Sequence, residues 1–446
     1  MIFDAIGLQV PRILLPKSGT DMHYWSVIAC DQYTSDRSYW QRLQQQTAGK
    51  LSTLNLIFPE VNLEDDDAPQ RIEKINQTMQ TYLADGSLEE QAPGFILIDR
   101  STCEVPSRKG LMVALDLEQY DYTPGSKSLI RATEGTIVDR LPPRIKVREN
   151  APIELPHIMV LIDDPEQTVI EPLFNETLET VYDFDLLENG GHIRGLRVDQ
   201  PVLIEQVVTA LNQLKDTDRF QQRYQTSDNE VMLYAMGDGN HSFATAKAIW
   251  EQLKQQADDP QSIMDHPARY ALVELVNLHD GGLEFEPIHR VLFDIEEEHL
   301  LTSMKDWYQN HNLDFEFISC SDLQQAKELS RADDSEHSFP CTIGGFFGLC
   351  RIRQPHLTLV VGTLQEFLDD FLKQTPSARI DYIHGSKSVT ALGSVSDAAG
   401  FYLPAINKHD LFRTIVHDGA LPRKTFSMGE ADEKRFYLEC RKITAS

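Results

Sequence analysis

Short apolar runs bounded by turn-forming residues predict buried strands through the middle of the chain, at 95–98, 111–115, 158–162, 231–236 and 270–278. Apolar residues at helical spacing predict amphipathic helices at 202–214 and 242–253. Further along, we expect strands at 342–349 and 357–361, and helices at 364–372 and 410–416. Strands that alternate with helices indicate a mixed α/β (α+β) fold, with mixed sheets and flanking helices.

Changes in the pattern of apolar and polar residues along the chain divide it into three expected segments. Residues 1–93 form an N-terminal segment that we expect to pack on the core. Residues 94–296 form a central α/β domain, and residues 297–446 form a C-terminal α/β domain. In the first segment, Ser35 or Asp36 is expected to cap a helix that runs through the forties.

The net charge of −28 at pH 7 makes polyanionic binding partners unfavourable. A field of this sign repels nucleic-acid phosphate and anionic lipid, and no run of Lys and Arg is long enough to override it. The expected partner is therefore a small-molecule ligand, with no nucleic acid and no membrane. No stretch approaches the ~18 uncharged apolar residues that span a bilayer. The start of the chain lacks the pattern of a signal peptide, and the six cysteines form no Cys-x-x-Cys pair, so a cytoplasmic location is expected.

The segment 234–243, Tyr-Ala-Met-Gly-Asp-Gly-Asn-His-Ser-Phe, carries the strongest chemical signal. Gly237 and Gly239 follow an apolar strand and permit backbone angles that side chains forbid. A helix follows at once, with Ser242 or His241 at its cap. The N–H groups of its first turn, together with the helix dipole, favour an anion such as phosphate.

Three polar side chains stand at the mouth of this loop. Asp238 is a candidate catalytic residue and metal ligand, because a carboxylate can accept a proton or hold a divalent cation. Asn240 can orient a ligand by hydrogen bonds, and His241 can donate to phosphate or carry protons near neutral pH. The alternative is a tight turn in which Asp238 and Asn240 bond only to backbone. The spacing matches neither a Walker A loop nor a dinucleotide fingerprint.

Four motifs follow the order of a known family. The stretch 236–246 resembles its Asp-Gly-His-His-Arg-Tyr-x-Thr-Ala signature, and 275–280 resembles its Leu-Val-Asn-Met-His-Asp. The stretches 287–290 and 419–426 resemble its Pro-Thr-His-Arg and its Gly-x-Met-Pro-x-Lys-Ser-Thr. The chain thus resembles a prokaryotic family catalogued as a domain of unknown function, numbered one thousand and fifteen.

The loop of that family is similar to the loop of free serine kinases of the ParB/sulfiredoxin-like superfamily. The resemblance implies a ParB/sulfiredoxin-like core with large additions. It also implies that Gly237, Gly239, Asn240 and Ser242 bind the phosphates of a nucleotide (ATP or ADP), with Mg²⁺ at Asp238. Two positions depart from the signature, since Asn240 replaces its first His and Ser242 replaces its Arg. Loss of that Arg removes a bidentate phosphate clamp.

Residues outside the loop are candidates for the missing positive charge. Arg290, which follows His289, can supply a clamp, or it can form a surface ion pair. Lys424 matches the lysine of the family and can neutralise phosphate as a point cation, or it can be a solvated loop lysine. His279 is expected at a strand end near the loop, as a second ligand or proton carrier. The cluster at 30–33 occupies the position of a family Pro-Tyr-Asp element without an assigned role.

The polar stretch 131–140 supplies the candidate general base. Glu134 loosely resembles a family glutamate, and Asp139-Arg140 matches the family's Asp-Arg pair. Because a base must lie within hydrogen-bond reach of the acceptor hydroxyl, Glu134 near Asp238 favours an enzyme. The alternative is a surface carboxylate. The following Pro142-Pro143 is expected to stop any regular element.

Two classes of function fit these patterns. The first is a small-molecule kinase (a phosphotransferase) that uses a nucleotide and Mg²⁺ to phosphorylate a small hydroxyl metabolite such as a free amino acid. The second is a regulatory module that binds a nucleotide or metabolite without turnover. Nucleic-acid binding of the ParB kind is disfavoured by the net charge of −28. The sequence predicts no oligomeric state.

Overall fold

The computed structural model describes residues 1–34, 36–123, 125–330, 335–429 and 433–445. The chain forms two compact units, Met1–Glu284 with Met428–Ser446 and Phe285–Ser427. These units differ from the three expected segments, 1–93, 94–296 and 297–446. Whether those segments fold as separate domains stays a prediction. Both units combine sheets with helices, which confirms the mixed α/β class.

The strands and helices are numbered in chain order. The strands are β1 Ile2–Phe3, β2 Leu8–Gln9, β3 Leu14–Pro16, β4 Val27–Ile28, β5 Leu88–Glu90, β6 Phe95–Ser101, β7 Arg108–Asp116, β8 Tyr120–Asp121, β9 Ile130–Arg131, β10 Ile153–Glu154, β11 Met159–Ile162, β12 Thr180–Asp185, β13 His192–Val198, β14 Tyr234–Asp238, β15 Tyr270–Asn277, β16 Phe285–Phe293, β17 Asp314–Cys320, β18 Glu336–Ile343, β19 Phe346–Arg353, β20 Arg379–His384, β21 Ala398–Phe401, β22 Phe426–Met428, β23 Phe436–Tyr437 and β24 Arg441–Lys442. The helices are α1 Met22–Trp25, α2 Arg37–Gln46, α3 Ala68–Ala84, α4 Leu141–Arg148, α5 Pro201–Leu214, α6 Thr217–Tyr224, α7 Asn240–Gln256, α8 Glu297–Asn310, α9 Leu323–Leu329, α10 Val360–Gln374, α11 Ser386–Gly393 and α12 Lys408–His417.

The first unit is built around one large mixed sheet. Its strand order is β12-β13-β6-β7-β15-β11-β14-β9-β8. The centre contains both senses of pairing, because β11 runs parallel to β15 and antiparallel to β14. On the far side of β14, the strand β9 runs parallel to it. These pairings decide which strand ends share an edge of the sheet.

Both faces of this sheet are buried. In β6, Leu97 belongs to the hydrophobic core on one face, and the next residue, Ile98, belongs to the core on the other face, as the two-residue period of a strand requires. Helix α7 joins the first core through Phe243 and Trp250, both fully buried. A large side chain buried in this way contributes about 1.5–3 kcal/mol. The second core contains Trp25 from the N-terminal part of the chain.

The second unit contains an antiparallel sheet of order β17-β19-β18-β21-β16-β20. Helices α8 and α10 pack on it, and their side chains Tyr308 and Phe367 share one core with Phe339 of β18. Among the described residues, no helix is both long enough and apolar enough to cross a membrane.

Several predicted elements are confirmed, and two predicted strands are wrong. The strands expected at 158–162 and 270–278 and the helix expected at 202–214 occur within one or two residues. The strand expected at 342–349 is instead a hairpin that turns at Gly344-Gly345, where both glycines have positive φ. The segment 357–361 leads into α10 rather than forming a strand.

The two prolines also behave differently from the expectation. Pro142-Pro143 does not stop regular structure but occupies the first turn of α4, where a missing N–H costs nothing. Asp36 caps α2, as expected, by accepting hydrogen bonds from the N–H groups of Ser38 and Tyr39 at 3.0 and 3.1 Å. Ser35, the other candidate cap, lies outside the described residues.

Candidate functional site

Three strand ends bring the candidate residues to one edge of the large sheet. Asp238, the last residue of β14, pairs with Met159 at the start of β11, because these strands run antiparallel. His157 lies just before β11 at this same edge. Strand β9 runs parallel to β14, so the segment after β9, which carries Glu134, leaves the sheet beside Asp238. The backbone therefore places Glu134, His157 and Asp238 along a common edge.

Gly239 makes the turn from β14 into α7. Its φ of 80° is a left-handed conformation that glycine adopts without steric cost, and a Cβ here would lie 3.1 Å from the Cα of Ile158. The N-cap residue is Gly239, which has no side chain, so no N-cap side chain competes with an anion at this turn. The amide oxygen of Asn240 is buried and accepts no hydrogen bond from the described residues. His241 follows in the same turn, and its carbonyl accepts the Thr245 hydroxyl at 2.7 Å.

Asp238 is held as a carboxylate by two cationic or polar neighbours. Its Oδ1 accepts the N–H of Gly239 at 2.8 Å, and its Oδ2 lies 3.4 Å from Nζ of Lys434. Burial opposes ionisation, but Lys434 and His157 outweigh it and hold the pKa of Asp238 below its usual range. At neutral pH this side chain is therefore an anion, suited to a metal ion or a hydrogen-bond donor.

His157 connects the loop to two other parts of the chain. Its Nε2 lies 3.1 Å from Oγ of Ser242 and 3.9 Å from Oδ2 of Asp31. Its Nδ1 lies 2.9 Å from the hydroxyl of Tyr437, which also accepts the N–H of Cys30 at 3.2 Å. Burial raises the pKa of the Cys30 thiol, so that thiol stays protonated and is a poor nucleophile.

A cavity of about 140 Å³ lies beside the first turn of α7. We call it the His157 cavity. Most of its wall is apolar and includes Leu56, Phe58, Met79, Val147 and Ile158. Its polar wall includes His157, Ser242 and Tyr437.

Two charged pairs also border the His157 cavity. Arg144 lies 2.5 Å from Glu60, and Arg148 lies 2.6 Å from Glu154. Arg144 is matched by Glu60, whereas Arg148 shares Glu154 with Arg441, whose Nη2 also lies 2.6 Å from that carboxylate. The wall as a whole presents apolar surface and paired charges.

Gly239→Ala tests the local geometry of the loop. We expect it to lower the free energy of unfolding by about 1–2 kcal/mol, because alanine is strained at this φ and its Cβ meets Ile158. Urea denaturation followed by circular dichroism measures this. The matched control is Gly281→Ala, which has no atom within 4 Å of its Cβ and no positive φ. Equal stability of the two variants would contradict the assigned role of Gly239.

His279 does not lie near the loop, and the expectation that it would is wrong. It follows β15, and β15 is parallel to β11 while β14 is antiparallel to β11. The end of β15 therefore lies at the opposite edge of the sheet from Asp238. There Nε2 of His279 pairs with Asp163 at 2.6 Å, a carboxylate that also accepts the hydroxyl of Tyr224.

Three further candidates belong to the second unit. Arg290 is fully buried, and its guanidinium donates to the carbonyls of Lys424 and Arg423 at 2.9 and 3.1 Å, so it does not form the surface ion pair considered above. Nδ1 of His289 accepts the N–H of Leu403 at 3.0 Å, and burial lowers the pKa of this histidine to about 4. The Lys424 side chain is exposed. Phosphate-binding roles for Arg290 and Lys424 stay predictions.

The remaining candidates lie in the first unit. Gly237 packs closely, since a Cβ there would lie 3.0 Å from Cε of Met428. Glu134 is half-buried, and Arg140 is exposed at the start of α4. In the described part of the chain, no group of three or more His, Cys, Asp and Glu side chains is placed to hold a metal ion. Magnesium at Asp238 stays a prediction.

Sequence reasoning missed His157, Lys434 and Tyr437. The motif 30–33, whose role was left open, contributes Asp31 to the same site. A signal for His157 was present, because the strand predicted at 158–162 begins directly after it. No local pattern indicated Lys434 or Tyr437, which reach the site from the end of the chain.

Fold and site together define a mixed α/β protein whose candidate site lies at a strand–glycine–helix turn on a sheet edge. The chain belongs to the family described as protein of unknown function DUF1015, whose model matches residues 14–371. No curated protein gives a significant match.

Similar solved structures include a free serine kinase variant in complex with AMP (9% identity, TM-score 0.39, 75% of this chain and 91% of that chain). A conserved hypothetical protein from Pyrococcus furiosus is 12% identical, with a TM-score of 0.34 over 75% of this chain and 95% of that chain. SbnI from Staphylococcus aureus is 9% identical, with a TM-score of 0.34 over 73% of this chain and 82% of that chain. These TM-scores lie below 0.5, so the likenesses carry no argument about mechanism.

Proposed function

We propose that the chain binds the phosphates of a nucleotide at the first turn of α7 and transfers a phosphoryl group to a small hydroxyl compound. The observation that carries this proposal is the turn itself. Helix α7 begins at a left-handed glycine with no side-chain cap among the described residues, and an ionised aspartate and a lysine stand at its mouth. Backbone N–H groups and the helix dipole favour an anion at such a position.

Lys434 supplies the positive charge that the loop lacks. Ser242 stands where the related signature has Arg, so the loop has no guanidinium of its own. Nζ of Lys434 lies 3.4 Å from Asp238 and donates to the carbonyl of Met428 at 3.2 Å. A phosphate at the first turn of α7 would give this ammonium an additional anionic partner.

Asp238 would bind Mg²⁺ as one of the few ligands that the protein supplies to the metal. Magnesium keeps most of its waters and binds readily through one or two carboxylates together with phosphate oxygens. A single ionised carboxylate beside a phosphate site therefore suffices for such a metal. Phosphoryl transfer then requires mainly positioning and charge neutralisation.

Glu134 is our candidate base for the acceptor hydroxyl. Its segment leaves the sheet beside Asp238, at the carboxyl end of the neighbouring parallel strand. A carboxylate at this position supports an enzyme over a module that only binds. The alternative, a regulatory module, predicts nucleotide binding without any phosphorylated product.

A ligand panel tests the proposal directly. ATP, ADP, CTP and free amino acids are added with and without Mg²⁺, and the thermal midpoint is recorded, since a ligand that binds the folded form raises it. Phosphorus NMR then follows ATP for product. We expect a Mg²⁺-dependent rise with ATP and ADP, and slow formation of ADP with a suitable acceptor. Binding without product would favour the regulatory module, and no binding of any nucleotide would refute both.

Lys434→Gln is expected to weaken ADP binding about tenfold or more, because a charge-assisted contact to phosphate is replaced by a neutral one. Isothermal titration calorimetry at fixed ionic strength measures the affinity. The control is Lys74→Gln on α3, which removes the same charge at an exposed position away from the site. Equal affinities for the two variants would exclude Lys434 from phosphate binding.

A further inference from the structure

The His157 cavity has the dimensions of a small-molecule site. Its volume of about 140 Å³ is close to that of an engineered protein cavity, about 150 Å³, that binds benzene. It therefore accommodates a body of roughly one six-membered ring. Leu56, Phe58 and Met79 from the N-terminal part of the chain line it together with Val147 and Ile158. Contact with these side chains favours an apolar body.

The charges around the cavity argue against a small zwitterion as ligand. Glu60 already pairs with Arg144 at 2.5 Å, and Glu154 already pairs with both Arg148 and Arg441 at 2.6 Å. The ammonium of a zwitterion would therefore lose its water without gaining an unmatched carboxylate among the described lining residues, which is costly in an apolar site. A free amino acid as small as serine would also leave most of the apolar wall without contact.

The polar wall of the cavity is shared with the loop. Ser242 lies in the first turn of α7 and also lines the cavity. Its hydroxyl lies 3.1 Å from Nε2 of His157, and His157 is close enough to Asp238 to stabilise that carboxylate. A polar group of a bound molecule at this wall therefore lies next to the proposed phosphate site.

We propose that the His157 cavity binds a compact neutral alcohol with an apolar body, its hydroxyl directed at His157 and Ser242. Both side chains are suited to a hydroxyl, since each can accept or donate a hydrogen bond. Tyr437, 2.9 Å from Nδ1, fixes the orientation of the imidazole as a positioning residue. This proposed binding of the alcohol does not depend on whether the protein transfers a phosphoryl group.

A role for this alcohol as phosphoryl acceptor rests on the proposed function. In that role its hydroxyl oxygen forms the bond to the γ-phosphorus of ATP. The bond between that phosphorus and the bridging oxygen breaks, and ADP leaves with its electron pair. The hydroxyl proton passes to the general base, for which the proposed function names Glu134. The acceptor would thus be a hydrophobic alcohol rather than a small polar amino acid.

Benzyl alcohol, toluene and L-serine are suitable probes of the full-length chain. Wild-type protein is titrated with each, and binding is followed by NMR of methyl-labelled methionine. The Met79 signal is expected to shift with benzyl alcohol, whereas that of Met304 in the second unit does not. Toluene should bind about tenfold more weakly, because it lacks the hydroxyl hydrogen bond. L-serine should produce no shift at Met79.

Ala151→Phe fills the cavity, which Ala151 lines. It is expected to abolish the benzyl alcohol response while the circular dichroism spectrum stays that of the wild type. If this variant fails to fold, the wild-type Met79 and Met304 signals still decide the result. A response to serine but not to benzyl alcohol, or a response of Met304 alone, would overturn the inference. Binding of benzyl alcohol without any binding of nucleotide would uphold the cavity and reject the proposed kinase.

Discussion

Asp238→Asn is expected to abolish the dependence of nucleotide binding on Mg²⁺. In the wild type, the ionised carboxylate repels phosphate without the metal and recruits the metal when it is present. The amide variant loses both effects, so without Mg²⁺ it should bind ATP as tightly as the wild type or slightly more tightly. With Mg²⁺ it should bind more weakly. The rate of phosphoryl transfer should fall about a hundredfold or more, since charge stabilisation of the transition state is lost.

Titration calorimetry in the presence and absence of Mg²⁺ separates this prediction from a structural effect. Asp258→Asn is the matched control, because Asp258 is exposed just beyond α7. The pKa of Asp238 lies below its usual range, so the Mg²⁺ effect should persist unchanged down to about pH 5. An Asp238→Asn variant that keeps the wild-type response to Mg²⁺ would remove the metal from the proposal.

The strand–glycine–helix segment could be predicted because its signals are local. An apolar run, Gly239 and the stripe that contains Trp250 lie within one short stretch, and each acts through neighbours in sequence. The structure confirms the helix and places the glycine at its N-cap. The hairpin around Gly344-Gly345 was not predicted. The apolar run at 342–349 was interpreted as one strand, but it contains the end of β18 and the start of β19.

The rest of the site depended on strand pairing that no local pattern encodes. His157 precedes an apolar strand and His279 follows one, and neither position by itself shows which edge of the sheet it occupies. Parallel pairing of β11 with β15 and antiparallel pairing of β11 with β14 place His157 beside Asp238 and His279 at the far edge. The sense of pairing, rather than the residue type, decides which of the two histidines lies near the loop.

The end of the chain was the least predictable part. Charged residues near a terminus are usually solvated, and Lys, Arg and Glu are rarely buried unless paired. Arg435 is nevertheless only 3% exposed, between Glu274 and Glu439, which are both 0% exposed. This pairing anchors the segment that brings Lys434 and Tyr437 to the site.

Arg435→Met is therefore expected to have the largest effect on stability. The guanidinium donates to both carboxylates, with Nη2 at 2.5 Å from Oε2 of Glu439, and its loss leaves two buried negative charges without their main partner. Removal of one member of a buried ion pair costs about 3–5 kcal/mol. Urea denaturation measures the loss. Arg219→Met on α6, at an exposed position, should change stability by less than about 0.5 kcal/mol.

The pH dependence of this loss follows from the carboxylates. In the wild type, burial acts to raise the pKa of Glu274, but Arg435 and Arg108 outweigh burial and hold that pKa below its usual range. Glu274 therefore stabilises the fold above the ordinary carboxyl range, and this contribution is lost as the pH falls. In the variant, Arg435 no longer offsets the burial of Glu274, so the pKa of Glu274 rises and its protonation relieves the unpaired charge. The difference in the free energy of unfolding between the wild type and Arg435→Met should be largest near about pH 8 and should decrease toward about pH 5.

A second substitution separates charge from packing at this position. Glu274→Gln in the Arg435→Met background removes one unpaired charge and should recover part of the lost stability, most clearly at the higher pH. Recovery that did not depend on pH would assign the loss to packing of the arginine side chain. Because Lys434 adjoins Arg435 in the chain, the same recovery should restore ADP affinity if the buried pairing positions Lys434. The site at the sheet edge would then depend on a charge pairing in the core for its phosphate-binding lysine.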